Sequence, residues 1–299
     1  MITSNLLRPY VTNMKKFLRM ANWKLKLGLG ILVFLVAIGI LEPFINAVRL
    51  GGYDPMEIGR FPRWQRSSWE HPLGTDSFGR DLLAVTLRGL RYTLILCFLS
   101  GAIATVIAVI LGVLSGYVGG WLDTIIGSFT NGLLVIPTFP IFLLISTYFP
   151  RIDLLTMCLI LAAFSWPFAA RTIRAQVLSL KNREFVNMAK TCGFNDLEIV
   201  VKEIIPNMLP YVCTSLAFSI VGAAFAETGA RLLGIGPQDI PTLGLILNWV
   251  FASAYLMQGR YLEVIIPSSL LVFIFVSFNM IIIGLDEMFN PRLKKVTGM

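Results

Sequence analysis

The sequence lacks the residues that most enzymes use. Among its 299 residues there is a single histidine, His71, so no histidine-based metal centre and no Ser-His-Asp triad can be assembled. A Gly-x-Ser-x-Gly nucleophile motif and a G-x-x-x-x-G-K-[ST] phosphate loop are both absent from the sequence. We therefore expect no catalytic residue, no metal and no cofactor in this chain.

Charge is scarce, and cysteine is sparse. Charged residues make up 14% of the sequence and hydrophobic residues 56%, with a mean hydropathy of +0.75. A soluble domain has too little interior for so much apolar material, so we expect a membrane protein. The net charge of +8 indicates contact with anionic lipid headgroups and not with nucleic acid. The four cysteines are Cys97, Cys158, Cys192 and Cys213; none is expected in an external loop, so no disulfide is predicted.

Long apolar runs predict an all-α polytopic fold. Each run is long enough to cross a hydrocarbon core of about 30 Å as a helix. Backbone groups in lipid must be paired within the segment, which favours helices. The six predicted transmembrane helices are residues 25–48, 93–117, 125–148, 154–170, 211–230 and 264–285.

Basic residues predict the orientation. The segment before the first span carries Arg8, Lys15, Lys16, Arg19 and Lys24 and no acidic residue, which places the N-terminus in the cytoplasm. Six spans return the C-terminus to the same side. The predicted division is a basic cytoplasmic segment 1–24, a first helix 25–48, an external loop 49–92 with an interfacial helix, a five-helix core 93–285 with a cytoplasmic loop 171–210, and a cytoplasmic tail 286–299.

The polar segment 183–210 is the most informative part of the chain. Phe185, Met188, Ala189 and Cys192 share one face of a predicted helix. Gly193 interrupts it, and Asn195 or Asp196 can cap a second helix that Pro206 and Pro210 are expected to end. Two short amphipathic helices joined at Gly193 favour docking of a soluble partner. The alternative is a pair of helices lying on the lipid surface.

Several motifs together resemble the C-type permease subunits of dipeptide and oligopeptide ABC importers. The external signature HPLGTD…GRD is represented by His71, Pro72, Gly74, Thr75, Asp76, Gly79, Arg80 and Asp81. Residues 116–123 (GYVGGWLD), Glu227-Thr228, residues 233–236 (LGIG) and the closing Asp286…Asn290-Pro291-Arg292 are similar to later landmarks, in family order. The segment around Gly193 is similar to the family's EAA loop, with Asn187 where glutamate is usual and Met188 where the first alanine is usual.

The resemblance implies a type I ABC importer permease in the cell membrane. Its expected partners are a second homologous permease subunit, two P-loop ATPase subunits that hold ATP and Mg²⁺, and an extracytoplasmic substrate-binding protein. The expected ATPase-coupling residues are Asn187, Met188, Ala189, Lys190, Cys192, Gly193, Phe194, Asn195 and Asp196. Peptides are the expected substrate, and oligosaccharides or nickel are the alternatives. Two rival interpretations remain: a secondary transporter or channel that needs no ATPase, and a membrane scaffold.

Residues outside the loop suggest further hypotheses. Glu227 and Arg231 lie four residues apart near the end of the fifth span; they either satisfy each other or line the outer mouth of the pore and act in gating. Residues 80–92 are amphipathic, which favours an interfacial helix over a binding-protein contact. We expect prolines 137, 140, 167 and 267 to kink helices, and glycines 101, 112 and 116 to allow close helix packing.

Overall fold

The computed structural model describes residues 21–149 and 152–289. The helices in these ranges are α1 (Trp23–Leu50), α2 (Leu82–Val118), α3 (Gly120–Val135), α4 (Thr138–Tyr148), α5 (Leu154–Leu180), α6 (Glu184–Thr191), α7 (Asp196–Leu232), α8 (Leu243–Ala252) and α9 (Leu262–Phe289). The described residues contain no strand, only one bridge between Thr75 and Asp81. The basic residues before position 21 and the closing Asn290-Pro291-Arg292 motif lie outside the described ranges.

Helices α1, α2, α5, α7 and α9 are each long and apolar enough to cross a membrane. They contain 27 to 37 residues, or about 40–55 Å of helix, so their ends project beyond a core of about 30 Å. Helix α2 packs against α1, α5 and α7, and α9 packs against α1 and α7. The predicted all-α polytopic architecture is confirmed.

The third predicted span, 125–148, is not one helix. Helices α3 and α4 meet at 85°, and Ile136 between them is extended, with φ −72° and ψ 122°. The residue before a proline is driven out of the helical region by the proline ring, so Pro137 turns the chain here. An apolar run shows only that a segment is buried or in lipid, and so it cannot distinguish a straight span from a bent one.

Other boundaries also differ from the predictions. Helix α5 continues to Leu180 and α2 begins at Leu82, so residues 82–92 are the first turns of α2 and not a separate interfacial helix. Pro206 does not end its helix: the stretch Val200–Ile204 is π-helical, and the Ile205 N–H donates to the carbonyl of Val200. Pro206 then lies in the first turn of the α-helical part that follows, where its missing N–H costs least.

Glycines bring the long helices together. A Cβ on Gly101 would lie 2.5 Å from Cγ1 of Ile220 in α7, and one on Gly112 would lie 2.8 Å from the carbonyl oxygen of Ala170 in α5. A Cβ on Gly116 would lie 2.9 Å from the carbonyl oxygen of Arg174. The predicted close packing at these glycines is confirmed, since any larger side chain would force the helices apart.

Candidate functional site

Helix α6 ends in a turn that needs glycine. Gly193 has φ +84°, a left-handed conformation that costs other residues about 1–2 kcal/mol. Its N–H donates to the carbonyl of Lys190 at 3.0 Å, and the Phe194 N–H donates to that of Ala189 at 3.1 Å. These bonds satisfy carbonyls at the end of α6. The predicted turn between the two helices of the segment 183–210 is therefore present at Gly193.

Helix α7 starts with a complete capping box. Oδ1 of Asn195 accepts from the Glu198 N–H at 2.8 Å, and Oε2 of Glu198 accepts from the Asn195 N–H at 3.2 Å. Lys202 adds an ion pair to Glu198 at 2.9 Å. The Tyr117 hydroxyl at the end of α2 donates to Oδ1 of Asp196 at 2.7 Å. The start of α7 is thus held both locally and by a neighbouring long helix.

The inner face of the α6–α7 segment is packed against the long helices. Val186, Ile199, Ile204 and Met208 are completely buried. They belong to one apolar cluster with residues of α2 and α5, namely Val113, Ile173 and Val177. Burial of each such side chain stabilises the packed state by about 1.5–3 kcal/mol. The segment is therefore in direct packed contact with α2 and α5.

The opposite side of the same segment carries several exposed apolar side chains. Leu197, Met188 and Val201 are 73%, 68% and 53% exposed. Beside Met188 is a shallow groove of about 460 Å³, lined by Glu184, Asn187, Met188, Thr191 and Cys192. We call the exposed set Asn187, Met188, Phe194, Leu197 and Val201 the outer face.

Most of the predicted coupling residues are exposed, but one is not. Asn187, Met188, Lys190, Cys192, Gly193, Phe194, Asn195 and Asp196 are all at the surface. Ala189 is only 7% exposed and packs into the inner cluster, so it supports the segment and cannot contact a partner. Leu197 and Val201 were not in the predicted set, but both are exposed. Their position in the apolar stripe of α7 could have identified them as candidates for partner contact.

An ion pair braces the helices beside this segment. Arg174 on α5 donates to both carboxylate oxygens of Asp123 on α3, with Nη2 to Oδ2 at 2.6 Å. Lys181 donates to the carbonyl of Gly116 at 2.9 Å. Asp123 could be recognised as a landmark in the sequence, but Arg174 and Lys181 could not, because they lie on a different helix from their partners. Bidentate guanidinium–carboxylate geometry fixes orientation as well as distance.

The HPLGTD…GRD signature builds a cap at the opposite end of the long helices. Oδ2 of Asp81 lies 2.8 Å from Nδ1 of His71, and Oδ1 of Asp81 accepts from the Ala84 N–H to cap α2. Oδ2 of Asp76 accepts from Nε of Arg80 at 2.6 Å. These groups are 1–9% exposed as side chains. His71 therefore fixes the local turn.

Backbone contacts explain the small residues of the signature. Gly74 and Gly79 have φ +70° and +72°, and a Cβ on either would lie within 2.4 Å of a carbonyl oxygen of the preceding loop. The Thr75 hydroxyl donates to the carbonyl of Pro62 at 2.6 Å. Arg260, just before α9, donates to the carbonyls of Gln65 and Thr75. The signature joins the loop between α1 and α2 to the residue just before α9.

Glu227 and Arg231 are both completely buried. Nε of Arg231 donates to Oε1 of Glu227 at 3.2 Å, and its Nη atoms donate to the carbonyls of Pro237 and Ile240. A residue that lines a pore mouth needs an exposed charge, and this pair has none. The geometry favours the alternative hypothesis, in which the two residues pair with each other, and Arg231 also holds the loop that follows α7. Oε2 of Glu227 is buried without a hydrogen-bond partner among the described residues.

A cavity of about 570 Å³ lies between α4, α5 and α7. Its walls combine aromatic and hydroxyl side chains, and the carboxylate of Asp286 on α9 lies at it. The lining includes Phe142, Phe164, Phe168, Phe218, Ser165, Thr172, Thr214, Ser215 and Ser219. The hydroxyls of Ser165, Thr172 and Thr214 donate to carbonyls one turn earlier in their own helices. The ionisable Asp286 is the stronger signal, because such a group in a membrane-spanning region usually faces a polar cavity and not lipid. This cavity is the candidate translocation surface.

Comparisons with known proteins agree with this architecture. Residues 108–295 match the family described as binding-protein-dependent transport system inner membrane component. The oligopeptide transport system permease protein OppC of Mycobacterium bovis is 33% identical over 250 residues, covering 82% of this chain and 83% of that protein. The dipeptide transport system permease protein DppC of Bacillus subtilis is 28% identical over 269 residues, covering 90% and 82%.

A solved structure has the same fold. The MetNI methionine ABC transporter, in an inward-facing conformation, aligns with a TM-score of 0.55 at 21% identity, covering 68% of this chain and 97% of that chain. Together with the membrane-spanning helices, these matches establish the family. The chain belongs to the binding-protein-dependent transport system inner membrane components and is a multi-pass permease subunit of an ABC importer.

Proposed function

We propose that this chain forms half of the translocation pore of an ABC importer for di- and oligopeptides. The observation that carries the proposal is the α6–α7 segment, which is packed on its inner face and apolar and exposed on its outer face. The names of the relatives OppC and DppC support peptides as the substrate. The aromatic and hydroxyl lining of the cavity suits peptide side chains and backbone amides.

The outer face is the proposed docking site for one ATPase subunit. An exposed apolar patch on a segment outside lipid gains free energy when a partner covers it. The second permease subunit and the second ATPase complete a four-subunit core, with ATP and Mg²⁺ held by the ATPase pair. An extracytoplasmic binding protein delivers the substrate on the side of the signature cap. Both termini are then cytoplasmic.

The inner packing supplies the proposed mechanism. Closure of the ATPases displaces the outer face, and the buried side chains transmit this displacement to α2 and α5 as a rigid-body movement. The Asp123–Arg174 pair keeps α3 and α5 together during it. Movement of α3 and α5 changes access to the cavity, and hydrolysis of ATP resets it. In this mechanism, Gly193 fixes the angle between α6 and α7.

Purification of the tagged chain with its partners tests the proposal. We expect the wild-type chain to retain a second permease and ATPase subunits, and Gly193→Pro to lose the ATPases. Gly234→Pro is the matched control, because Gly234 also has a positive φ (+77°) and open space around its Cα, and its N–H donates to a carbonyl three residues earlier. It lies at the other end of α7, so ATPase retention should be unchanged.

Two outcomes would contradict the proposal. A chain that purifies folded and alone, and that transports solute without ATP, would instead support a secondary transporter or channel. Equal loss of the ATPases in both glycine variants would show general unfolding and not a local docking site. Uptake of labelled dipeptides by the reconstituted complex, compared with uptake of an oligosaccharide and of nickel, then decides the substrate.

A further inference from the structure

Glu42 in α1 is a completely buried carboxylate shared by two arginines of α2. Its Oε1 accepts from Nδ2 of Asn46 at 2.7 Å and from Nε of Arg88 at 3.4 Å, and its Oε2 accepts from Nη1 of Arg91 at 3.1 Å. Arg88 also pairs with Asp54, which is 63% exposed, so that pair adds little stability. Arg91 is the more exposed arginine, at 39% against 23%, and among the described residues only its Nη1 makes a hydrogen bond.

Arg91 lies at one end of a groove of about 530 Å³ between α1 and α2. The other walls are entirely apolar: Val36, Gly39, Ile40, Leu94, Ile95 and Phe98. From Arg91 to Phe98, α2 rises about 10 Å. Gly39 keeps the groove open, because a Cβ there would only touch Cα of Arg91 and Cδ1 of Leu94, each at 3.5 Å. A larger side chain at this position would therefore fill the groove without displacing backbone.

We propose that this groove binds an anionic glycerophospholipid, with the headgroup phosphate on Arg91 and the upper part of an acyl chain between α1 and α2. Both helices are apolar enough to cross a membrane, so the groove opens toward hydrocarbon. Its apolar walls match an acyl chain. The remaining N–H groups of Arg91 can donate to an anion at the edge of the groove, and phosphate is the abundant anion at the membrane surface. The site is independent of the transported substrate.

Native mass spectrometry of the detergent-purified complex tests the proposal, after incubation with phosphatidylglycerol or phosphatidylcholine. We expect the wild-type protein to retain phosphatidylglycerol preferentially. Arg91→Gln should lower that retention about tenfold, a loss typical of one charge-assisted contact, whereas Arg91→Lys should keep most of it. Gly39→Leu should remove the bound lipid. Gly30→Leu is the matched control, because Gly30 is exposed on the same helix with open space around it.

Three results would overturn the proposal. The first is phosphatidylglycerol retention that is the same in Arg91→Gln and the wild type. The second is bound lipid that survives Gly39→Leu. The third is loss of the second permease subunit in Gly39→Leu but not in Gly30→Leu, which would identify the groove as a subunit interface. If Arg91→Gln does not fold, the comparison of the two glycine variants still decides whether the groove holds lipid.

Discussion

Leu197 offers the most direct quantitative test of the docking site. It lies in the first turn of α7 with 73% of its surface exposed. Full burial of a leucine side chain stabilises by about 1.5–3 kcal/mol, so covering this exposed fraction in a complex contributes roughly 1–2 kcal/mol. Leu197→Ser should therefore weaken ATPase binding about 6- to 30-fold. The measurement is the Kd of the purified ATPase subunits for the permease pair in lipid nanodiscs.

Leu233→Ser provides the control for this experiment. Leu233 is 63% exposed and directly follows the other end of α7, so the same change there should leave the ATPase Kd unaltered. Both leucines are exposed, and each variant should change the free energy of unfolding by no more than about 0.5 kcal/mol. An unchanged Kd for Leu197→Ser, or an equal loss in both variants, would refute the assignment of the outer face as the docking site.

Other substitutions test the packing and the buried charges. Gly101→Ala should destabilise the protein by about 1–3 kcal/mol through overpacking. Gly222→Ala, which meets open space inside a helix, should instead stabilise it by up to about 1 kcal/mol in thermal unfolding. Arg231→Met should cost about 3–5 kcal/mol because it leaves Glu227 buried and unpaired; adding Glu227→Gln should recover part of that loss. Tyr117→Phe, which removes the hydrogen bond from α2 to α7, should cost about 1 kcal/mol and lower transport-coupled ATPase activity without changing ATPase affinity.

Local chemistry in the sequence predicted the positions of turns and caps well. A glycine between two amphipathic stripes can be recognised without the fold, and so can an asparagine three residues before a glutamate. A kink at Pro137 was expected, but its size of 85° and the continuation of α7 through Pro206 were not predictable in the same way. Both depend on whether neighbouring helices can accommodate a local change of helical geometry, which composition does not report.

Partner identities were the main gap in the predicted site. The spacing of Glu227 and Arg231 indicated an ion pair, but its complete burial depends on the carbonyls of Pro237 and Ile240, which a non-helical loop brings back. Arg174 likewise meets Asp123 from a different helix. Such contacts between distant segments follow from the packing of the whole chain, so a single sequence shows the charged groups but not their partners.

The π-helical stretch Val200–Ile204 affects how the side-chain faces of the two parts of α7 are rotated relative to each other about the helix axis. Each residue turns an α-helix by about 100°, and a π turn accommodates one extra residue. If the same residues adopted regular α geometry, Leu197 would rotate by about that angle relative to Ser215 and Ser219. Deleting one residue would restore regular α geometry and leave their relative orientation nearly unchanged. The π turn therefore determines the angle, about the helix axis, between the docking surface at the start of α7 and the hydroxyl-bearing side that faces the cavity.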